Sequence, residues 1–112
     1  MENQKNMGVI MNLIIYGGNA RSNAIEAIEA AKKGDFKLAK AKILDAESSL
    51  LKAHNSQTSL LSEEANGDLT IVSLLMVHGQ DHLMTAITFI DLAKEIINIY
   101  EKILLIDKNV KN

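Results

Sequence analysis

The sequence contains no proline, no cysteine and no tryptophan. The absence of proline removes the strongest breaker of α-helices, so long helices are possible throughout the chain. The absence of cysteine excludes disulfides, thiolate metal sites and a cysteine nucleophile, and it suits a reducing cytoplasm. Aromatic residues make up only 4% of the chain, so a core must be built from Ile, Leu, Ala and Met.

The charge is nearly balanced, with 12 Lys and Arg residues against 14 Asp and Glu residues. This balance argues against a general nucleic-acid binder, which normally presents a basic face. The chain has 112 residues, of which 47% are hydrophobic, and this suits one globular domain spanning residues 1–112. No apolar run approaches the roughly 20 residues of a membrane span, and the N-terminus does not resemble a signal peptide. We therefore expect a cytoplasmic protein without direct membrane insertion.

Two short joints divide the chain into three helices. In "KKGDF" (32–36), Gly34 follows a helix end and Asp35 is a suitable N-cap for the next helix. In "EEANGDLT" (63–70), an Asn-Gly stop precedes Asp68, which is a second candidate N-cap. Because short joints make neighbouring helices antiparallel, we predict an all-α, antiparallel up-down-up three-helix bundle. The predicted helices run from Asn6 to Lys33, Asp35 to Ala65 and Asp68 to Lys108.

Apolar stripes at helical spacing predict the packing faces of the first two helices. The stripe of the first helix contains Ile10, Leu13, Ile14, Gly17, Ala20, Ala24, Ile28 and Ala31. The stripe of the second helix contains Ile43, Ala46, Leu50, Ala53, Gln57 and Leu60. Gly17 and Gly18 allow a close approach of another helix, although a glycine within a helix costs about 1 kcal/mol relative to alanine.

The third helix is apolar on more than one side. One broad face contains Leu74, Leu75, His78, Asp81, His82, Thr85, Phe89, Leu92, Ile96, Ile99 and Ile103. The opposite side also carries apolar residues in its first half, namely Met76, Leu83 and Ile87. A three-helix bundle cannot bury all sides of one helix, so this surplus predicts self-association through residues 71–90.

A polar cluster interrupts the apolar third helix in "MVHGQDHLM" (76–84). His78, Asp81 and His82 have i,i+3 and i,i+4 spacing, so they share one helix surface. Three interpretations are open. The histidines can be structural, with hydrogen-bond partners that offset their burial. They can also bind zinc or iron with Asp81, although the chain offers few further ligands besides His54.

The third interpretation of the cluster is a phosphoryl acceptor. A neutral imidazole such as that of His78 is a good nucleophile towards phosphorus. His82, Gln80 and Thr85 can donate hydrogen bonds to the transferred group, but the Asp81 carboxylate repels that group unless a cation neutralises it. Gln80 lies about 200° around the helix from His78. It therefore suits a site that is shared with a neighbouring subunit.

Three stretches resemble the lactose/cellobiose-type enzyme IIA components of the bacterial sugar phosphotransferase system. The stretches are "HGQDHLMT" (78–85), "YGGNARS" (16–22) and "AHNSQTSLLSEEANG" (53–67). The resemblance extends from about Met7 to Leu104, and "HGQDHLM" is its most specific part. One departure is Asn19, where the family commonly has aspartate.

The resemblance implies a homotrimer of three-helix bundles that acts as a cytoplasmic phosphocarrier in disaccharide uptake. His78 matches the residue that takes a phosphoryl group from phospho-HPr and passes it to a cysteine of a IIB component, which serves a membrane IIC transporter. Gln80 and His82 match residues that hydrogen-bond the phosphoryl oxygens. Asp81 matches a ligand of a structural divalent cation, expected to be Mg²⁺, on the trimer axis. Lactose, cellobiose and chitobiose remain open as sugars.

Three further polar residues lie on the first two predicted helices. We expect His54 on a helix surface or interface and Gln57 in a buried polar contact. Arg21, the only arginine, can contact phosphate or form a structural salt bridge or cap.

The rival function is a helical adaptor or a histidine-phosphotransfer bundle of a signalling pathway. Such signalling bundles carry a lysine shortly after the phosphorylated histidine, which "HGQDHL" lacks.

Overall fold

The computed structural model describes residues 6–111 and contains three helices in that range, with no strand. The helices are α1 (Met7–Lys32), α2 (Phe36–Ala65) and α3 (Leu74–Lys111). The predicted all-α three-helix fold is therefore confirmed. None of these helices is long and apolar enough to cross a membrane.

The first joint, between α1 and α2, has the geometry that the sequence predicts. Gly34 has a φ of 83°, a left-handed conformation that glycine adopts without steric cost. The side chain of Asp35 then accepts a hydrogen bond from the backbone N–H of Leu38 at 3.1 Å. This N-cap satisfies one of the unpaired backbone donors at the start of α2.

The second joint is longer than the sequence indicated. The prediction that the third helix begins at Asp68 is wrong, because α3 begins at Leu74. The hydroxyl of Ser73 accepts a hydrogen bond from the backbone N–H of Met76 at 3.1 Å and so caps α3. The β-branched side chains of Ile71 and Val72 lose rotamer freedom in a helix, which favours the later start at Ser73.

The predicted faces of α1 and α2 form most of the core. Except for the half-buried Ile14 and Ile28, the whole predicted stripe of α1 is buried. In α2, the seam is also confirmed, with Leu50 and Gln57 half-buried and the other members buried. Alanine is abundant in this core, so the helix backbones can approach one another closely.

The buried face of α3 is distinct from the broad apolar face, and the sequence pattern did not decide which face packs against the other helices. The buried residues follow alternating spacings of three and four residues and are Met76, Gly79, Leu83, Ala86, Ile90, Ala93 and Ile97. Every member of the predicted broad face is exposed or half-buried. The reason is that Gly79, Ala86 and Ala93 are small and permit close packing against α1, which outweighs the size of the apolar residues on the other side.

The contacts of two glycines show the direction of α3 relative to α1. Gly79 lies against Leu13, and Gly17 lies against His82 three residues further along α3. The residue numbers of both helices therefore increase in the same direction, so α1 and α3 are parallel. This register brings the glycines of α1 to the level of the polar cluster.

Candidate functional site

His78 and His82 form a contacting pair on the surface of α3. Their Nε2 atoms lie 3.1 Å apart, which is a hydrogen-bond distance. The two rings meet edge to face, with centroids 4.5 Å apart and planes at 79°. Because one proton is shared between two like nitrogens, one ring donates through N–H while the other presents a lone pair. Such a pair contains both a nucleophile and a hydrogen-bond donor.

The backbone of α1 lies directly beneath His82. A Cβ atom at Gly17 would lie 3.0 Å from the carbonyl carbon and oxygen of His82, which is closer than Cβ atoms normally pack, so the backbone of His82 would have to shift. A Cβ atom at Gly18 would lie 3.9 Å from Nδ1 of His82, which is an ordinary contact. The sequence predicted a close approach at these glycines, and the structure identifies His82 as the partner.

The surroundings of His82 favour its neutral form. Its pKa is lowered, first because partial burial penalises the charged imidazole, and then because His78 and Arg21 contribute positive charge. The Asp81 carboxylate acts in the opposite direction but does not reverse the shift. A neutral His82 provides one N–H donor and one acceptor, as the pairing with His78 requires.

Thr85 and Asp81 are two further predicted site residues on α3. The hydroxyl of Thr85 donates to the backbone carbonyl of Asp81 at 2.7 Å, so it is not directed towards His78. Asp81 itself is exposed. Among residues 6–111 of a single chain, no three His, Asp or Glu side chains are grouped to hold a metal ion. The cation at Asp81 stays a prediction.

Gln80 faces α2 and not His78. Its side-chain carbonyl accepts a hydrogen bond from the amide of Gln57 at 2.7 Å, which confirms the expected polar contact of Gln57. Within residues 6–111, the amide of Gln80 makes only a long contact of 3.8 Å with the sulfur of Met76. The structure therefore brings His82, but not Gln80, to His78 of the same chain.

The remaining candidates, His54 and Arg21, are both exposed. His54 is on α2, where its backbone carbonyl accepts a hydrogen bond from the hydroxyl of Thr58. Arg21 makes no salt bridge with any residue of the described range 6–111, so that structural role is not supported there. One contact that sequence reasoning missed is Lys52, whose ammonium group lies 5.3 Å from the ring centroid of Tyr16. No sequence pattern indicated this pair.

Comparison with known proteins identifies the family. Residues 8–101 match the profile of the family described as "PTS system, Lactose/Cellobiose specific IIA subunit". The chain is 52% identical over 101 residues to the lichenan-specific phosphotransferase enzyme IIA component of Bacillus subtilis, covering 90% of this chain and 92% of the relative. It is 48% identical over 91 residues to a cellobiose-specific EIIA component of Lactococcus lactis, covering 81% and 78% of the two chains.

Solved structures agree with the sequence comparisons. The cellobiose-specific enzyme IIA of Bacillus anthracis superimposes with a TM-score of 0.88 at 40% identity, covering 90% of this chain and 93% of that one. A IIA(chitobiose) component in complex with HPr from Escherichia coli superimposes with a TM-score of 0.77 at 41% identity, covering 88% and 96%. This chain therefore belongs to the lactose/cellobiose-specific IIA family and is a phosphotransferase component of a sugar phosphotransferase system.

Proposed function

We propose that this protein is a phosphocarrier in which His78 accepts a phosphoryl group from phospho-HPr and delivers it to a cysteine of a IIB component. The observation that carries the proposal is the contact between His78 and His82, whose Nε2 atoms lie 3.1 Å apart on an accessible helix surface. Membership in a family of phosphotransferase components supplies the class of reaction.

The chemistry assigns one role to each ring. In the proposed tautomer, His82 donates its Nε2–H to the Nε2 lone pair of His78, and this lone pair attacks phosphorus once the hydrogen bond is released. As this nitrogen bonds to phosphorus, the bond between phosphorus and the donor breaks, and its electron pair leaves with the donor. The N–H of His82 then turns to a phosphoryl oxygen. Hydrogen bonds of this kind, directed at developing charge, lower the barrier to transfer.

The exposed face of α3 supports assembly into a homotrimer. Apolar residues continue along this face at spacings of four and three residues, namely Leu92, Ile96, Ile99, Ile103, Ile106 and Val110. Isoleucine at both core positions of a heptad favours three- or four-stranded coiled coils over dimers. Large apolar side chains such as Ile106 and Val110 are 63% and 80% exposed in the single chain, so a partner would cover them.

A divalent cation fits Asp81 only in such an assembly. Each copy would supply one carboxylate oxygen, and hard cations such as Mg²⁺ prefer oxygen ligands. Three carboxylates that come together in an apolar interface repel one another, and a bound cation would neutralise them. The cation would be structural, and the phosphoryl transfer would remain the chemistry of His78.

A trimer would also give Gln80 a role. Its amide group has only the long contact with Met76, and Gln57 fixes its carbonyl, so Gln80 is oriented away from its own His78. We propose that Gln80 hydrogen-bonds the phosphoryl group on His78 of a neighbouring subunit. The active site would then lie between two copies.

The similar proteins support HPr as a partner. One is seen in complex with HPr, and others are named for lichenan, cellobiose and lactose. We therefore propose HPr as the donor, a IIB component and its membrane IIC transporter as the downstream partners, and the cytoplasm as the location. The transported sugar would be a disaccharide such as cellobiose, lactose or chitobiose.

The test is a reconstituted relay. Phosphoenolpyruvate, enzyme I, HPr and the IIB component are combined with wild-type protein, with His78→Gln or without the carrier. We expect phosphorylated IIB with wild-type protein only. Transfer to IIB that does not need this chain, or that persists with His78→Gln, would contradict the proposal.

A further inference from the structure

The half of the bundle that contains His78 has few positive charges. In the sequence from Asn6 to Ala31, Arg21 is the only lysine or arginine, and from Ile43 to Ala93 the only one is Lys52. A phosphoryl group adds close to two negative charges at neutral pH. These charges would be placed near the Asp81 carboxylate, so a nearby cationic side chain has a clear electrostatic purpose.

Arg21 lies on the face of α1 that contacts His82. It follows Gly17 by four residues and Gly18 by three, so its direction from the helix axis falls between theirs. Both glycines lie against His82, the first against its backbone and the second near Nδ1 of its ring. Side chains of an α-helix tilt towards its N-terminus, so Arg21 is directed back towards the level of these glycines.

The electrostatics of the site agree with this placement. The positive charge of Arg21 acts on His82, which shows that the guanidinium is within electrostatic reach of the imidazole. His82 in turn contacts His78 at 3.1 Å. Arg21 is exposed and has no salt-bridge partner within residues 6–111, so its donors are available to an incoming anion. Lys52 differs, because it lies over the ring of Tyr16.

We propose that Arg21 is a phosphoryl-binding residue that stabilises the phosphorylated form of His78. This inference rests on the proposed function and extends it by assigning a binding role to a residue on a different helix. The guanidinium would donate to phosphoryl oxygens beside the His82 ring. An arginine suits this task because its charge is permanent and its donors match the geometry of phosphate oxygens.

Stabilisation of the phosphoryl group and attraction of HPr by Arg21 would have different measurable effects. If Arg21 contacts the phosphoryl group, its loss weakens the phosphorylated state itself and shifts the equilibrium of transfer between HPr and this protein. If Arg21 only attracts HPr, its loss slows association in a salt-dependent manner and leaves that equilibrium unchanged. The equilibrium constant is therefore the decisive quantity.

The experiment measures this equilibrium by intact mass, starting from phospho-HPr and each variant without phosphoenolpyruvate. The variants are Arg21→Gln, Arg21→Lys and a control, Lys32→Gln, which removes one positive charge from the same helix about 16 Å away. We expect Arg21→Gln to lower the equilibrium constant roughly ten- to a hundredfold, as for the loss of a charge-assisted hydrogen bond. Arg21→Lys should recover part of it, and Lys32→Gln should match wild type.

Thermal unfolding of each variant confirms that it is folded. An equilibrium constant for Arg21→Gln equal to that of Lys32→Gln would overturn the role of Arg21, even if the rate of transfer changed. A wild-type protein that accepts no phosphoryl group would instead overturn the proposed function, so the two failures are distinguishable.

Discussion

Nε2 of His82 lies 3.1 Å from Nε2 of His78, one helical turn earlier on α3. The two rings are therefore coupled, because the N–H of one ring donates a hydrogen bond to the lone pair of the other. Partial burial lowers the pKa of His82, which favours the neutral ring that this arrangement needs. In the proposed role, the Nε2 lone pair of His78 attacks phosphorus after the N–H of His82 turns away from it.

Replacement of His82 tests whether it acts as a hydrogen-bond donor. We expect His82→Leu to slow phosphoryl transfer to His78 roughly 100- to 1,000-fold, the usual effect of removing one such donor. His82→Gln retains an N–H group and should recover part of the rate. Single-turnover transfer from phospho-HPr is the measurement. A rate for His82→Leu equal to that of the wild-type protein would show that the donor is unimportant.

The close approach of α1 and α3 predicts opposite effects for two neighbouring glycines. In Gly17→Ala, the new methyl group would collide with the His82 backbone, so we expect a loss of stability of about 1–3 kcal/mol. In Gly18→Ala, the methyl group has room, and higher helix propensity should raise stability by up to about 1 kcal/mol. Urea denaturation measures both. A harmless Gly17→Ala would contradict the described packing.

Removal of the divalent cation tests the proposed role of Asp81. In the wild-type trimer, a chelator should lower the melting temperature, because three uncompensated carboxylates then repel one another. Asp81→Asn removes both the repulsion and the carboxylate ligands, so its melting temperature should not respond to the chelator. The contrary result is a chelator that affects both proteins equally or neither of them.

Mixed trimers test whether Gln80 serves the site of a neighbouring subunit. His78→Gln chains lack the acceptor, and Gln80→Leu chains are expected to phosphorylate slowly. When both are co-expressed, some sites combine His78 of one chain with Gln80 of the other, so phosphorylation of the Gln80→Leu chains should become faster. If the rate is no higher than in pure Gln80→Leu trimers, Gln80 does not act across the interface.

The sequence predicted the parts of the fold that depend on local chemistry. The joint at Gly34 and Asp35 was identified correctly, because a left-handed glycine and an N-cap are short-range features. The start of α3 was not, because Asp68 and Ser73 are both acceptable caps. The choice between them depends on the β-branched residues that separate them and on the packing of Met76.

The candidate site was predicted only in part, because local spacing determines some of its contacts and the register between helices determines others. The spacing of His78 and His82 on one helix is sufficient to bring their rings together, as the structure confirms. The buried face of α3 was not determined from the sequence, because small residues such as Gly79 and Ala86 give a weak hydrophobic signal beside the larger apolar residues. The contact of Gly17 with His82 depends on the register between helices distant in sequence, which periodicity alone does not determine.

Phosphorylation of the wild-type protein and of two histidine variants is the most direct measurement. The wild-type protein, His78→Gln and the control His54→Gln are each incubated with phosphoenolpyruvate, enzyme I and HPr, and intact masses are recorded before and after mild acid. We predict an acid-labile gain of one phosphoryl group per chain for wild type and His54→Gln, and no gain for His78→Gln. A folded wild-type protein without this gain, or a gain that survives in His78→Gln, would contradict the assignment of His78 as the phosphoryl acceptor.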